Sequence, residues 1–402
     1  GHVTVQFNPI DPTMLSDPYP AYRNLRENDP VHWNALFECW IYTRYPDVDS
    51  ILMDPRFSAD RTKARNRFAQ MVQQQQEEFG PFSRAQTMLS SDPPAHTRLR
   101  KLVSKAFTPR AVENLRPRIQ EIVDNLLDGL EGQGGFDLVD SIAYPLPVIV
   151  IAEMLGVPPE DRAQFKKWSD DVVATLGGPF TPKDVFQRAR QSIEEMATYI
   201  SHVIADRRAH PREDLISGLI AAEEEGQVLS EEEIFATTIL LLVAGNETTT
   251  NLIGNCVVAL LRNPDQLEYL RADLSRMPAA VEELLRFAGP VQATARVAKE
   301  DNDLGGQVVK EGQVAFAFLA AANRDPAKFA EPDRLDLSRN PQDHLSFGDG
   351  IHFCLGAPLA RAEAQITLRA LLERYPHIEF AGDPTWRGTF IIRGVKHLPL
   401  RV

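Results

Sequence analysis

Between Ser346 and Gly356 the chain reads SFGDGIHFCLG, so three glycines and two phenylalanines surround His352 and Cys354 just ahead of a helix-patterned run. Glycine at 348 and 350 lets the backbone turn tightly and pass close to something flat. Cys354 falls just before the helix expected over Pro358–Arg374, and a helix N-terminus favours thiolate over thiol. A thiolate ringed by backbone N–H groups is a soft ligand of tunable donor strength, as an iron centre requires. Three other readings compete. A single cysteine is commonly a small apolar core residue. His344, His352 and Cys354 lack a fourth zinc ligand at standard spacing. Glycines at 348, 350 and 356 do not make the GxGxxG of a dinucleotide loop.

A second constellation is GNETTTN, Gly245–Asn251, a polar island between the apolar flanks ATTILLLVA and LIGNCVVALL. Burying Glu247 is costly unless it is paired or hydrated, and glycine in mid-helix sacrifices about 1 kcal/mol of helix propensity. Gly245, Thr248 and Thr249, at i, i+3 and i+4, share one helix face, where the glycine opens space and hydroxyls approach it. The island is either a solvent-facing kink or a proton-delivery notch in which a carboxylate and an alcohol stand side by side.

These residues need elements to hold them. The expected carrier of the island is one long helix from Ser230, an N-cap followed by three glutamates, to Arg262, where Asn263–Pro264 stops it. Apolar residues at helical spacing predict further helices over Pro109–Leu130, DQLEYLRADL and APLARAEAQITLRALLERYP. Strand-like pieces are few: VHWNALFECWIYTR, Gly306–Phe318 and the closing TFIIRGVKHLPLRV. The polar stretch Asn66–Ser91 predicts a long loop with one short helix. The expected fold is mainly α with a minor β portion, and no linker or repeat divides residues 1–402, which read as a single domain.

At 402 residues, 43% of them apolar, the chain can bury a sizeable core. A formal charge of −13 without a polybasic block argues against nucleic-acid binding. Cys39, Cys256 and Cys354 are odd in number and far apart, which excludes a disulfide framework and suits a reducing cytoplasm. No secretory leader is visible, Gly1 and His2 read as a cloning remnant, and the longest apolar run, Ile234–Gly245, is too short to span a bilayer, so no membrane anchor is expected.

FGDGIHFCLG resembles the haem-binding loop of the cytochromes P450, with Phe347, Gly348, Gly350, His352, Cys354 and Gly356 at that family's fixed positions. AGNETT is similar to its oxygen-activation motif, EELLR supplies an ExxR pair as Glu283 and Arg286, and EPDRLD supplies a second arginine as Arg334. DPPAHTRLR places His96 and Arg100, and TARVA places Arg296, where bacterial members hold haem propionates. Leu335 stands where the family often has phenylalanine. The motifs keep the family's order from about residue 10 to the end, so the resemblance covers essentially the whole chain.

The resemblance implies the P450 fold, with a long central helix across the haem and small sheets at one side. It implies haem b with Cys354 as iron ligand, and a cofactor cradle of His96, Arg100, Ala244, Arg296, Phe347, Gly348, His352 and Gly356. Glu247 and Thr248 are the implied catalytic pair, and Glu283, Arg286 and Arg334 a structural triad. The implied reaction inserts one oxygen atom of O2 into a hydrophobic small molecule. Electrons come from a separate ferredoxin or flavodoxin with its reductase, since the chain is too short to carry a flavin or iron–sulfur domain of its own. Pocket walls would come from Met88, Leu89, Trp168 to Phe180, Leu240, Val243, Val291 to Thr294, and Phe390 with Ile391. Arg98, Lys101, Lys105 and Arg361 are candidate cations for the redox partner. A peroxide-driven peroxygenase and a non-catalytic haem-thiolate sensor are the alternatives, and the intact acid–alcohol pair counts against both.

Overall fold

In the first of two compact units, formed by Gly1–Asn66, Arg116–Leu146 and Thr248–Val402, a five-stranded sheet gathers segments far apart in sequence. Val31–Asn34 pairs antiparallel with Cys39–Tyr42, which runs parallel to Val314–Ala317. Antiparallel pairing then adds Thr294–Ala298 and Phe57–Ser58. Val314–Ala317 is buried along its whole length, as a strand with partners on both sides and packing on both faces should be. Helix Tyr45–Met53 lays Val48, Ile51 and Leu52 into a core with Tyr42, Phe57, Ala315 and Ala317. Each such side chain contributes about 1.5–3 kcal/mol by leaving water. The second unit, Arg67–Leu115 and Pro147–Glu247, is built chiefly of the helices Ala95–Ala106, Arg162–Val173, Lys183–Ala209, Leu215–Ala221 and Glu231–Leu240.

This computed structural model describes residues 4–66, 91–175, 182–242, 246–352 and 354–402. The expected loop over Asn66–Ser91 lies almost wholly outside them, with Met88 and Leu89, and so do Phe180, Val243 and Ala244. The mainly helical expectation holds. Helices run over Pro109–Asp128, Pro264–Ala272 and Ala357–Arg374, and the three strand-like pieces each contribute two strands. Among the described residues no helix is long and apolar enough to cross a membrane.

Of the single helix expected from Ser230 to Arg262, helix is described over Glu231–Leu240 and Asn246–Arg262, with residues 243–245 outside the described residues. Ser230 and Glu233 close a reciprocal capping box, each side chain taking the other's backbone N–H, at 3.1 and 2.9 Å. π-Helical backbone begins at Leu241, and the Thr238 hydroxyl donates to the Ile234 carbonyl at 2.9 Å within the preceding turn.

Candidate active site

The cysteine loop is closed by backbone hydrogen bonds from Gly348 to the Leu345 carbonyl and from Cys354 to the Phe347 carbonyl, each 2.9 Å. Gly348 and Gly350 adopt φ of +80° and +69°, a left-handed backbone that L side chains rarely take. A single 3-10 turn, Gly350–His352, follows, and then helix Ala357–Arg374, whose first N–H reaches the Cys354 carbonyl at 3.2 Å. A Cβ added at Gly356 would stand 3.8 Å from Cys354 Sγ, ordinary van der Waals contact, so the residue lies beside the sulfur. Cys354 is exposed, whereas Cys39 and Cys256 are buried and their thiols are driven far above the usual range by desolvation. The core-filler reading therefore describes those two cysteines and not Cys354.

A brace beneath the loop escaped the sequence reading. Arg361, on the helix after the cysteine, grips Glu282 with Nε at 3.0 Å and Nη2 at 2.8 Å, and its guanidinium lies 4.9 Å from the centre of the Phe347 ring. His344 adds a contact from Nε2 to the same carboxylate at 3.1 Å. The Ser346 N–H points at His344 Nδ1 at 3.3 Å, which fixes the tautomer with the proton on Nε2 and makes that nitrogen the donor to Glu282. Burial pushes the Glu282 carboxyl up, but His344 and Arg361 outweigh it and hold the group below the ordinary carboxylate range. Arg361 is thus committed to Glu282 and does not serve as the docking cation expected of it. The only sequence signal was that EELLR begins with two glutamates.

The ExxR pair is present and fully buried: Arg286 Nε meets Glu283 Oε1 at 2.5 Å, and Nη2 meets Oε2 at 3.1 Å. The third member is not Arg334, whose side chain is 59% exposed and faces Glu331 at 3.5 Å. Arg339 Nε takes Glu283 Oε2 at 3.1 Å, beside the Asp336 N–H at 2.8 Å. Arg334 contributes its carbonyl to the cluster, accepting from Arg286 Nη2 at 3.1 Å. Asn323 links this cluster to the cysteine loop. Its carbonyl accepts from Arg286 at 3.0 Å, its Oδ1 receives the Leu345 N–H at 2.7 Å, and its Nδ2 donates to Ser346 Oγ at 3.0 Å.

Thr248 is half-buried on helix Asn246–Arg262, while Glu247 and Thr249 are only 5% and 2% exposed. That burial removes the solvent-facing kink as an account of Glu247. Asn255, lower on the helix, has a structural task, donating to the Ala288 and Arg393 carbonyls at 3.1 Å each. Arg296 is buried in its strand, and its Nη1 donates to the Ala295 carbonyl at 2.9 Å and to Thr294 Oγ1 at 3.0 Å. The expected pocket segments around Val291 and Ile391 do come together, for the Gln292 N–H reaches the Ile391 carbonyl at 2.7 Å and Val291 bridges Ile392. Phe390 does not act as a wall. It is buried, with ring centres of Phe316, Phe37 and Phe318 at 5.3, 5.4 and 6.3 Å, and belongs to the core.

In the second unit His96 is buried and Arg100 half-buried, one turn apart on helix Ala95–Ala106. Between them Arg98 turns to Glu233, with Nη1 and Nη2 at 2.6 and 2.9 Å, and to Gln227 at 2.8 Å. Its positive charge is therefore neutralised, a second departure from the docking patch. Lys105 donates to the Glu223 carbonyl, and Lys101 is exposed. Leu240 is half-buried. Trp168, expected along the pocket, donates its indole N–H to Glu195 at 2.7 Å and packs on Tyr199, so it joins two helices instead.

Comparison with known proteins agrees with this architecture. The sequence model of the family described as Cytochrome P450 matches residues 39–385. The chain is 45% identical over 403 residues to the cytochrome P450 monooxygenase PikC of Streptomyces venezuelae, a match covering 96% of this chain and 92% of that protein. Among solved structures, the bacillaene polyketide synthase cytochrome P450 PksS of Bacillus subtilis 168 aligns with a TM-score of 0.89 and 40% identity, over 98% of this chain and 99% of that one. P450BioI, solved with an acyl carrier protein ligated to hexadec-9Z-enoic acid, aligns with a TM-score of 0.88 and 38% identity, over 97% and 99%. A cysteine loop of this geometry, a buried ExxR pair and similarity along nearly the whole length lead to one conclusion: the chain belongs to the cytochrome P450 family and is a haem-thiolate monooxygenase.

Proposed function

We propose that the chain binds haem b through Cys354 and inserts one oxygen atom of O2 into a hydrophobic small molecule, by hydroxylation or epoxidation, acting as one catalytic domain in the cytoplasm. The observation that carries this reading is the exposed thiol of Cys354 in a loop turned by the positive-φ glycines Gly348 and Gly350, in a chain whose other cysteines are buried. Within the first unit the residues fit the group, with a soft sulfur donor, φ-positive glycines in the loop before it and the buried guanidinium of Arg296 suited to a propionate; His96 and Arg100 are assigned to propionates by resemblance. When bound, the haem supplies dioxygen activation, and thiolate donation favours O–O cleavage. Phe347, Gly348, His352 and Gly356 shape the cysteine's surroundings, and Ala244 belongs to the same cradle by resemblance.

In this account Glu247 holds a proton in a buried carboxyl and Thr248 Oγ passes it on from the neighbouring helical position, a division of labour that general acid catalysis requires. Electrons arrive singly from a ferredoxin or flavodoxin served by its reductase. Lys101 and Lys105 are the exposed lysines of the docking set, whereas Arg98 and Arg361 pair with Glu233 and Glu282. The half-buried apolar side chains of Leu240, Val291 and Ile391 favour an apolar substrate. Among the solved relatives, PksS is a cytochrome P450 of the bacillaene polyketide synthase and P450BioI was solved with a carrier-bound fatty acid, and both contexts supply such molecules.

The test counts product, hydrogen peroxide and reduced nicotinamide together with saturating redox partners. Thr248→Ala should keep haem and substrate binding while diverting most of the reducing equivalents into hydrogen peroxide. Glu247→Gln should slow oxygen consumption and product formation together, by about 10²-fold if general acid catalysis is lost. Unchanged coupling in Thr248→Ala would show that the proton-handling residue has been misassigned.

A further inference from the structure

Thr248, Asn251 and Asn255 stand at i, i+3 and i+7, so they follow one face of helix Asn246–Arg262 over two turns. Asn251 and Asn255 are only 1% and 2% exposed. The Asn255 amide has one possible orientation, because the groups beside its Nδ2 are the Ala288 and Arg393 carbonyl oxygens, each at 3.1 Å, and two acceptors need a donor between them. Its Oδ1 is buried without a hydrogen-bond partner. Leucine would fill similar space without leaving a buried oxygen unpaired, so what the amide adds is a hold on two carbonyls.

Those carbonyls flank the two segments read as pocket wall. Ala288 ends helix Met277–Ala288, two residues before Pro290, and Arg393 opens strand Arg393–His397, next to Ile392. The segments are joined to each other, since the Gln292 N–H reaches the Ile391 carbonyl at 2.7 Å and the Arg393 N–H reaches the Pro290 carbonyl at 2.9 Å. Val291 and Ile391 thus belong to one piece, and Asn255 grips that piece on both of its strands. The helix also lies close against it. A Cβ at Gly394 would stand 2.1 Å from Asn251 Oδ1 and 2.6 Å from Asn251 Cβ, and a Cβ at Gly254 would stand 2.3 Å from Val395 Cγ2. Rotating the Asn251 side chain cannot move its own Cβ, so a side chain at 394 would force helix or strand to shift. All of these residues lie in the first unit.

We propose that Asn255 is a positioning residue that sets the distance between the helix face bearing Thr248 and the apolar wall of Val291 and Ile391, and with it which carbon of a substrate is presented for oxidation. Asn255 lies about 10 Å along the helix from Thr248, so it acts through the helix and the wall and not by contact with the reacting atoms. The consequence for substrate choice rests on the reading of Cys354 as haem ligand and of Val291 and Ile391 as wall; the tie itself does not.

The tie is tested by amide hydrogen exchange over Val291–Ala293 and Ile391–Val395 in the purified holoprotein. Asn255→Leu should speed exchange in both segments about tenfold, the scale of one or two lost hydrogen bonds. Asn263→Ala removes a donor to the Ala259 carbonyl, at the end of the same helix, and should lower the denaturant midpoint while both segments stay protected. Unchanged exchange in Asn255→Leu, or equal loss in Asn263→Ala, overturns the tie; if Asn255→Leu does not fold, Gly394→Ala decides by the same readings. The consequence is read with N-alkylimidazoles of about four to about twelve chain carbons, whose ring nitrogen binds the haem iron while the chain lies along the wall. Titration of the absorbance shift should show the wild type and Asn263→Ala preferring one length over those two carbons away by about tenfold, and Asn255→Leu by about twofold or less. A wild type indifferent to length, or a preference intact in Asn255→Leu, overturns the role in specificity. No shift with any length in any variant would instead overturn the haem reading while the exchange data stood.

Discussion

Glu283→Ala is expected to leave little or no haem-loaded, folded protein. The substitution takes the carboxylate from Arg286, whose side chain has no solvent exposure, and at the same time from Arg339 and the Asp336 N–H. Breaking a buried ion pair by removing one partner costs about 3–5 kcal/mol, because the remaining charge is neither hydrated nor paired. A natural domain commonly has about 5–15 kcal/mol in total, so most of the margin goes. The damage is also aimed at the site, since Arg286 holds the Asn323 carbonyl and Asn323 holds the backbone at Leu345, where the cysteine loop begins. Two further variants separate the arginines. Arg339→Ala should lower the denaturant midpoint and haem occupancy measurably, while Arg334→Ala, on an exposed side chain, should change stability by less than about 0.5 kcal/mol. Denaturant titration followed by haem absorbance reads both; a larger loss from Arg334→Ala than from Arg339→Ala would refute the observed triad.

What could be read from the sequence follows from how local the physics is. The cysteine loop was legible because its constraints lie within one short segment: glycines where φ is positive, a thiol just ahead of a helix, and an aromatic at Phe347. The helix starting at Ser230 was legible because its capping box is a local hydrogen-bond pattern. The choice between Arg334 and Arg339 was not, since both lie in the same irregular stretch and neither periodicity nor a cap marks which of them reaches Glu283. Phe390 and Trp168 show a different limit, for an apolar or aromatic residue suits a pocket wall and a core equally well until its neighbours are known. The Arg361–Glu282 brace joins residues far apart in the chain, and periodicity holds no information about such a contact.

Cys354 carries the largest consequence of all, and its test is direct. Replacing it with histidine changes the donor from an anionic sulfur to a neutral nitrogen and removes the electron donation on which the assigned chemistry depends. Cys39 and Cys256 are buried with their thiols neutral, so Cys39→Ser and Cys256→Ser can cost packing but should not alter ligation. The deciding measurement is the absorption spectrum of the ferrous carbon monoxide complex. The wild type and both serine variants should show the strongly red-shifted Soret band of thiolate ligation and Cys354→His should lack it; a histidine-type spectrum from the wild type, or a red-shifted band surviving in Cys354→His, would contradict the account.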